Sequence, residues 1–163
     1  MRLQTKPYRW SCILAAFAMA LDVSIADLIT LLRHDGSETI FPGLPEPACR
    51  RGFHVQELIH VALCLNRSVT PYELMPAIAP TYTPNFGPTQ HAIGSTHRKA
   101  FFEHLIDNRR GVITGRTLTT HHAVAFEKGV IYDPDGWQFP FSFESCEKRG
   151  FFAQCAWIVS PIG

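Results

Sequence analysis

The sequence has little charge of either sign and almost none in excess. Fifteen Lys and Arg stand against fourteen Asp and Glu, a net of +1. That balance supplies no basic face for nucleic acid and no electrostatic pull toward a membrane surface. No apolar run approaches the roughly 18 residues that cross a bilayer. The opening Met1-Arg2-Leu3-Gln4 turns polar too soon for a signal peptide. The five cysteines, Cys12, Cys49, Cys64, Cys146 and Cys155, include no closely spaced pair. This argues against a zinc site, and no cofactor or metal is expected. An odd number of scattered thiols also argues against a disulfide framework. The expectation is a soluble, cytoplasmic protein in a reducing compartment, with no nucleic-acid or membrane partner.

What is present suffices for one core. The chain has 163 residues, 46% apolar and 18% charged, in the range of a single globular domain over 1–163. From Cys12 to Leu21 it is rich in Ala and Leu and apolar nearly all round, which predicts a buried helix with Ser11 as its N-cap. Ser24-Ile25-Ala26-Asp27 reads as a capping box for a second helix, with Ile25, Leu28, Ile29, Leu31 and Leu32 at helical spacing and Asp35-Gly36 as its stop. Residues 38–51 read as loop. A third helix is expected from Val55 to Leu65, with Cys64 as a core residue, and a fourth from about Arg98 to Asn108, with Phe101, Phe102, Leu105 and Ile106 inward. Between them, residues 70–91 carry Pro71, Pro76, Pro80, Pro84 and Pro88, spacing that defeats regular structure. That stretch is either a substrate-facing lid or wall, or a surface excursion packed by its own aromatics.

Strands come late. Val112-Ile113-Thr114-Gly115 reads as a buried one. His121-His122-Ala123-Val124-Ala125-Phe126 and Val130-Ile131-Tyr132-Asp133 flank the turn Lys128-Gly129 and read as a β-hairpin. Short strands at 137–139 and 156–159 follow, with a loop around Cys146. Helices first and an antiparallel sheet after them make an α+β fold.

The hairpin brings a histidine at the start of one strand beside an aspartate at the end of the next, the pairing that fixes a histidine's tautomer. Alternation sends His121 and His122 to opposite faces. His122 is favoured because Val124 and Phe126 share its inward face. Asp133 is the expected partner, with Asp135 as a competitor. Cys12, in the first turn of a helix, sits where the helix dipole favours a thiolate. Position alone fits a small core residue as well.

Taken together, these residues resemble the papain-like cysteine peptidases. Ser11-Cys12 at the head of a buried helix, with Gln4 before it, is similar to that family's nucleophile region. His122-Ala123-Val124-Ala125 is similar to its histidine strand. Val130-Ile131-Tyr132-Asp133-Pro134 resembles the Asp-Pro signature of the bacteriocin-processing branch, whose members cleave leader peptides. The gap from Gln4 to Cys12, 12 − 4 = 8 residues, is longer than the family's. The resemblance implies a peptide or protein substrate and a catalytic set of Cys12 as nucleophile, His122 as base, Asp133 as orienter and Gln4 as oxyanion donor. Two other functions stay open: a catalytically idle papain-like module that binds a partner protein, and a deamidase or transglutaminase that uses the same triad for acyl transfer.

Overall fold

The computed structural model describes residues 1–74 and 88–163, with the side chains of the helix that begins at Pro88 described from Arg98 onward. Helix α1 spans Cys12–Leu21, and every residue from Leu14 to Leu21 is buried. A helix apolar on all sides can be stable only if it is enclosed. Helices α2 (Ile25–Leu32) and α3 (Val55–Cys64) pack on it, and strands of the sheet close the other side. Asp22, in the left-handed region at φ 58°, ends α1. Ser24 caps α2, its hydroxyl accepting the Asp27 N–H at 3.0 Å.

Among the described residues, the sheet has six antiparallel strands: β1 (Arg67–Glu73), β2 (Arg110–Arg116), β3 (His121–Glu127), β4 (Val130–Asp133), β5 (Trp137–Pro140) and β6 (Phe152–Pro161). Their order is β1-β6-β2-β3-β4-β5. The turn between β3 and β4 has both central residues at positive φ, Lys128 at 49° and Gly129 at 77°, as a type I′ hairpin turn requires. Both faces of β3 are covered. Ala123 and Ala125 lie in the cluster with α1, where small side chains let the helix approach closely. Val124 and Phe126 lie in a second cluster on the opposite face with Phe102 and Ile106 of α4 (Pro88–Asn108) and Phe143 and Cys146 of α5 (Phe143–Lys148).

Several expectations change. Residues 70–73 belong to β1 and are regular. Pro71 is tolerated there because β1 is an edge strand, with one side free of a ladder. Helix α4 starts ten residues before Arg98, with Pro88 at its first position, where the missing N–H has no intrahelical acceptor to lose. The remainder of the lid-or-wall stretch, 75–87, lies outside the described residues. Phe101 is exposed where a core position was expected, and so is Cys64. The stretch around Cys146 is the short helix α5, capped by Ser142. The strand expected at 156–159 extends over the whole of β6. Among the described residues, no single helix is long and apolar enough to cross a membrane.

Between Thr114 and Gly115 the register of β2 against β6 shifts, and Gly115 is the ladder partner of His122 on β3. A Cβ on Gly115 would lie 2.1 Å from the Phe152 carbonyl oxygen. We expect Gly115→Ala to lower the free energy of unfolding by about 1–3 kcal/mol or more. Gly43→Ala, with nothing within 4 Å of its Cβ, should change it by less than about 0.5 kcal/mol. Urea unfolding of the two variants checks both.

Candidate active site

Cys12 is the first residue of α1 and is half-buried. Ser11 precedes it and is completely buried, yet its side chain does not cap the helix. Its hydroxyl turns back, donating to the Tyr8 carbonyl at 2.8 Å and accepting the Tyr8 N–H at 3.0 Å. The first bond into the helix runs from the Ala15 N–H to the Ser11 carbonyl at 3.0 Å. The N–H groups of the turn that begins with Cys12 therefore have no intrahelical acceptor, and the positive end of the helix dipole falls at the thiol.

His122 lies near the start of β3 and is 8% exposed. Its Nε2 stands 3.0 Å from Asp133 Oδ1. The His122 and Phe151 rings stand nearly perpendicular, with centroids 5.6 Å apart. Burial pushes the His122 pKa down. Hydrogen bonding to Asp133 and to Cys12, with the negative charge of both, outweighs that and raises it to about 9. With Nε2 committed to Asp133, Nδ1 is the nitrogen left for the thiol. Asp133 closes β4. Burial pushes its pKa up. The bond and charge of His122, the Asp135 N–H at 2.9 Å and the charge of Lys6 hold it below the ordinary carboxylate range.

The structure thus brings three of the four expected residues together. Gln4 is not among them. Its Nε2 donates to the Val23 carbonyl at 2.8 Å, and its Oε1 accepts the Ile25 N–H at 3.1 Å. Both polar ends are spent on the turn between α1 and α2. That turn lies at the far end of a ten-residue helix, about 15 Å from Cys12 at 1.5 Å per residue. An oxyanion role for Gln4 is therefore ruled out by geometry. His121 is exposed and lines the cleft beside Cys12. Asp135 pairs with Lys6, Nζ to Oδ1 at 2.5 Å, a contact that no local sequence signal announces.

Cys12 and His122 open into a cleft of about 810 Å³ with Trp10, Phe53 and Trp157 among its apolar walls and Arg9 and Gln154 among its polar ones. His122 and Asp133 also line a second cavity of about 290 Å³ behind the pair. Three of the other four thiols are buried, and Cys64 is exposed on α3. Burial raises Cys146 to about 12 and Cys155 to about 11, and Cys49 is buried. Among the described residues, one group sets three side-chain donor atoms within 4.8 Å of one another: His122, Asp133 and Asp135. Its charges are met by the chain, His122 against Asp133 and Lys6 against Asp135.

No family model matches the chain, and no curated protein matches it. Among solved structures, the chain is similar to the crystal structure of a double glycine motif protease from an AMS/PCAT transporter in complex with the leader peptide. The TM-score is 0.49 at 14% identity, covering 98% of this chain and 91% of that one. A likeness at that level carries no functional argument, and the reading of the site rests on its own residues.

Two titrations follow from the geometry. The His122 imidazole should lose its proton near pH 9 by NMR, and in Asp133→Asn it should do so well below that. Because the folded value is raised above the ordinary 6.5, the His122 contribution to stability is complete below about pH 6.5 and is lost as pH rises through about 9, while that of Asp133, whose pKa is lowered, is lost toward acid pH. The stability advantage of wild type over Asp133→Asn should shrink across the alkaline window. In parallel, iodoacetamide near neutral pH should alkylate Cys12 well ahead of Cys146 and Cys155, and that selectivity should fall in His122→Ala.

Proposed function

We propose that the protein is a papain-like cysteine hydrolase that cleaves a peptide or related amide bond through Cys12, His122 and Asp133. One observation carries this reading: a buried imidazole bonded to Asp133 at 3.0 Å and acting on the thiol at the head of α1. In the first half-reaction, the Cys12 thiolate attacks the carbonyl carbon and a tetrahedral oxyanion forms. The oxyanion faces the backbone N–H groups of the first turn of α1, which take the place that Gln4 does not fill. His122 gives its proton to the departing amine, leaving a thioester on Cys12. In the second, His122 takes a proton from water, which attacks the thioester and releases the acid. The proton returns to the Cys12–His122 pair. Asp133 holds the ring so that one nitrogen always faces the sulfur.

The cleft, walled by Trp10, Phe53 and Trp157, suits an extended peptide with apolar side chains. A peptide or protein substrate is the corresponding partner, and five free cysteines suit a reducing, cytoplasmic compartment. A second reading, a binding module without catalysis, draws on the displacement of Gln4, which leaves no side-chain oxyanion donor from that residue.

A peptidyl epoxysuccinate should modify wild-type Cys12, and a randomised peptide library read by mass spectrometry should show cleavage that Cys12→Ala abolishes. Absence of both in folded wild type would sink the hydrolase reading in favour of the binding module. On a substrate so found, Asp133→Asn should lower kcat/KM by about 10²–10⁴-fold, the range that positioned acid–base groups supply. Gln4→Ala should leave kcat/KM unchanged while lowering the free energy of unfolding by about 1–3 kcal/mol, the cost of stranding its two backbone partners.

A further inference from the structure

Two carboxylates stand next to His122, yet only one is bonded to it. Asp133 Oδ1 lies 3.0 Å from Nε2. An oxygen of Asp135 lies within 4.8 Å of the same donor atoms. Two carboxylates this close repel, and one of them would ordinarily take up a proton or compete for the imidazolium. The chain meets this with a cation from a distant segment. Lys6 Nζ contacts Asp135 Oδ1 at 2.5 Å, and the Lys6 N–H donates to the Pro134 carbonyl at 3.0 Å. Lys6 is only 25% exposed, whereas Asp135 is 45% exposed. The cation is therefore the better-fixed member of the pair.

We propose that Lys6 is a positioning residue of the site: by pairing with Asp135 it draws that carboxylate off the imidazole, so that His122 is oriented by Asp133 alone. This rests on the reading of His122 as the base of the hydrolase. Among the described residues, the groups facing Asp133 include His122 from β3, Asp135 from its own turn, Lys6 from the lead-in, Cys146 from α5 and Arg149, which lines the cavity they share. Arg149 sits over the Phe139 ring at 4.3 Å and over the Trp137 ring at 5.8 Å. Lys6 thus contacts the Asp turn through both its side chain and its backbone.

The test is a suppressor experiment read by NMR titration of the Asp133 carboxyl and the His122 ring, together with the pH profile of Cys12 alkylation by iodoacetamide. None of these requires turnover, so the proposal can fail while the hydrolase reading stands, and the reverse. Lys6→Met keeps the aliphatic stem and the backbone bond to Pro134. It should raise the Asp133 titration by about one pH unit and shift the acidic limb of Cys12 reactivity upward with it. Lys6→Arg should restore both. Asp135→Asn alone should move the Asp133 titration down, since the cation is then undivided. Adding Asp135→Asn to Lys6→Met should bring the titration back toward wild type, because the competing charge is gone. The proposal is overturned if Lys6→Met moves neither titration, or if the double variant is as perturbed as Lys6→Met. In the latter case Lys6 is only a strap on the turn.

Discussion

The site depends on a charged hydrogen bond held out of water. An imidazole 8% exposed is a poor place for a positive charge unless a negative one is fixed against it. Asp133 meets that condition at 3.0 Å, and the thiol of Cys12 adds to it from the other side. The raised pKa of His122 and the lowered pKa of Asp133 are two views of one interaction. Such a pair adds little to stability by merely existing, because each charge has been stripped of water. Its effect is selective: removing either partner leaves the other buried and uncompensated. The pair is therefore held as imidazolium and carboxylate from the lowered Asp133 value up to about pH 9.

The fold supplies the three parts from elements whose positions are fixed for unrelated reasons. Helix α1 is buried because every side of it is apolar, and Cys12 at its head is therefore held in place. β3 is covered on both faces, by the α1 cluster on one and by Phe102 and Ile106 on the other, so His122 leaves a strand that cannot shift. β4 follows through a turn whose two left-handed residues set the register of the hairpin. Two turn residues, Lys128 and Gly129, are all that join the strands carrying His122 and Asp133.

Those features were legible because each has a local signature. An apolar helix, a Lys128-Gly129 turn between β-rich runs, and a histidine and an aspartate at facing strand ends can all be read along the chain. What was not legible depends on where distant segments meet. β1 was hidden by Pro71, since a proline argues against a strand until the strand is known to be an edge. The early start of α4 was hidden by Pro88 at its first turn. The cleft walls join residues as far apart as Trp10 and Trp157. Lys6 and Asp135, separated by most of the sequence, carry no pattern that links them.

The misassigned glutamine shows how spacing becomes role. The segment ahead of α1 is tied at Lys6 to the aspartate turn and at Gln4 to the turn after α1. It therefore runs back along the helix it precedes. Eight residues of chain can span up to roughly 26 Å, ample for the ten residues of α1, about 15 Å of helix. A polar side chain close ahead of Cys12 would stay near the sulfur. One eight residues ahead is carried to the opposite end, where its amide satisfies the Val23 carbonyl and the Ile25 N–H instead. Ser11 turns its hydroxyl onto Tyr8 and leaves the first N–H groups of α1 uncapped. The segment that removed the side-chain donor thereby keeps the backbone donors open, and a developing oxyanion at Cys12 would meet helix N–H groups in place of an amide side chain.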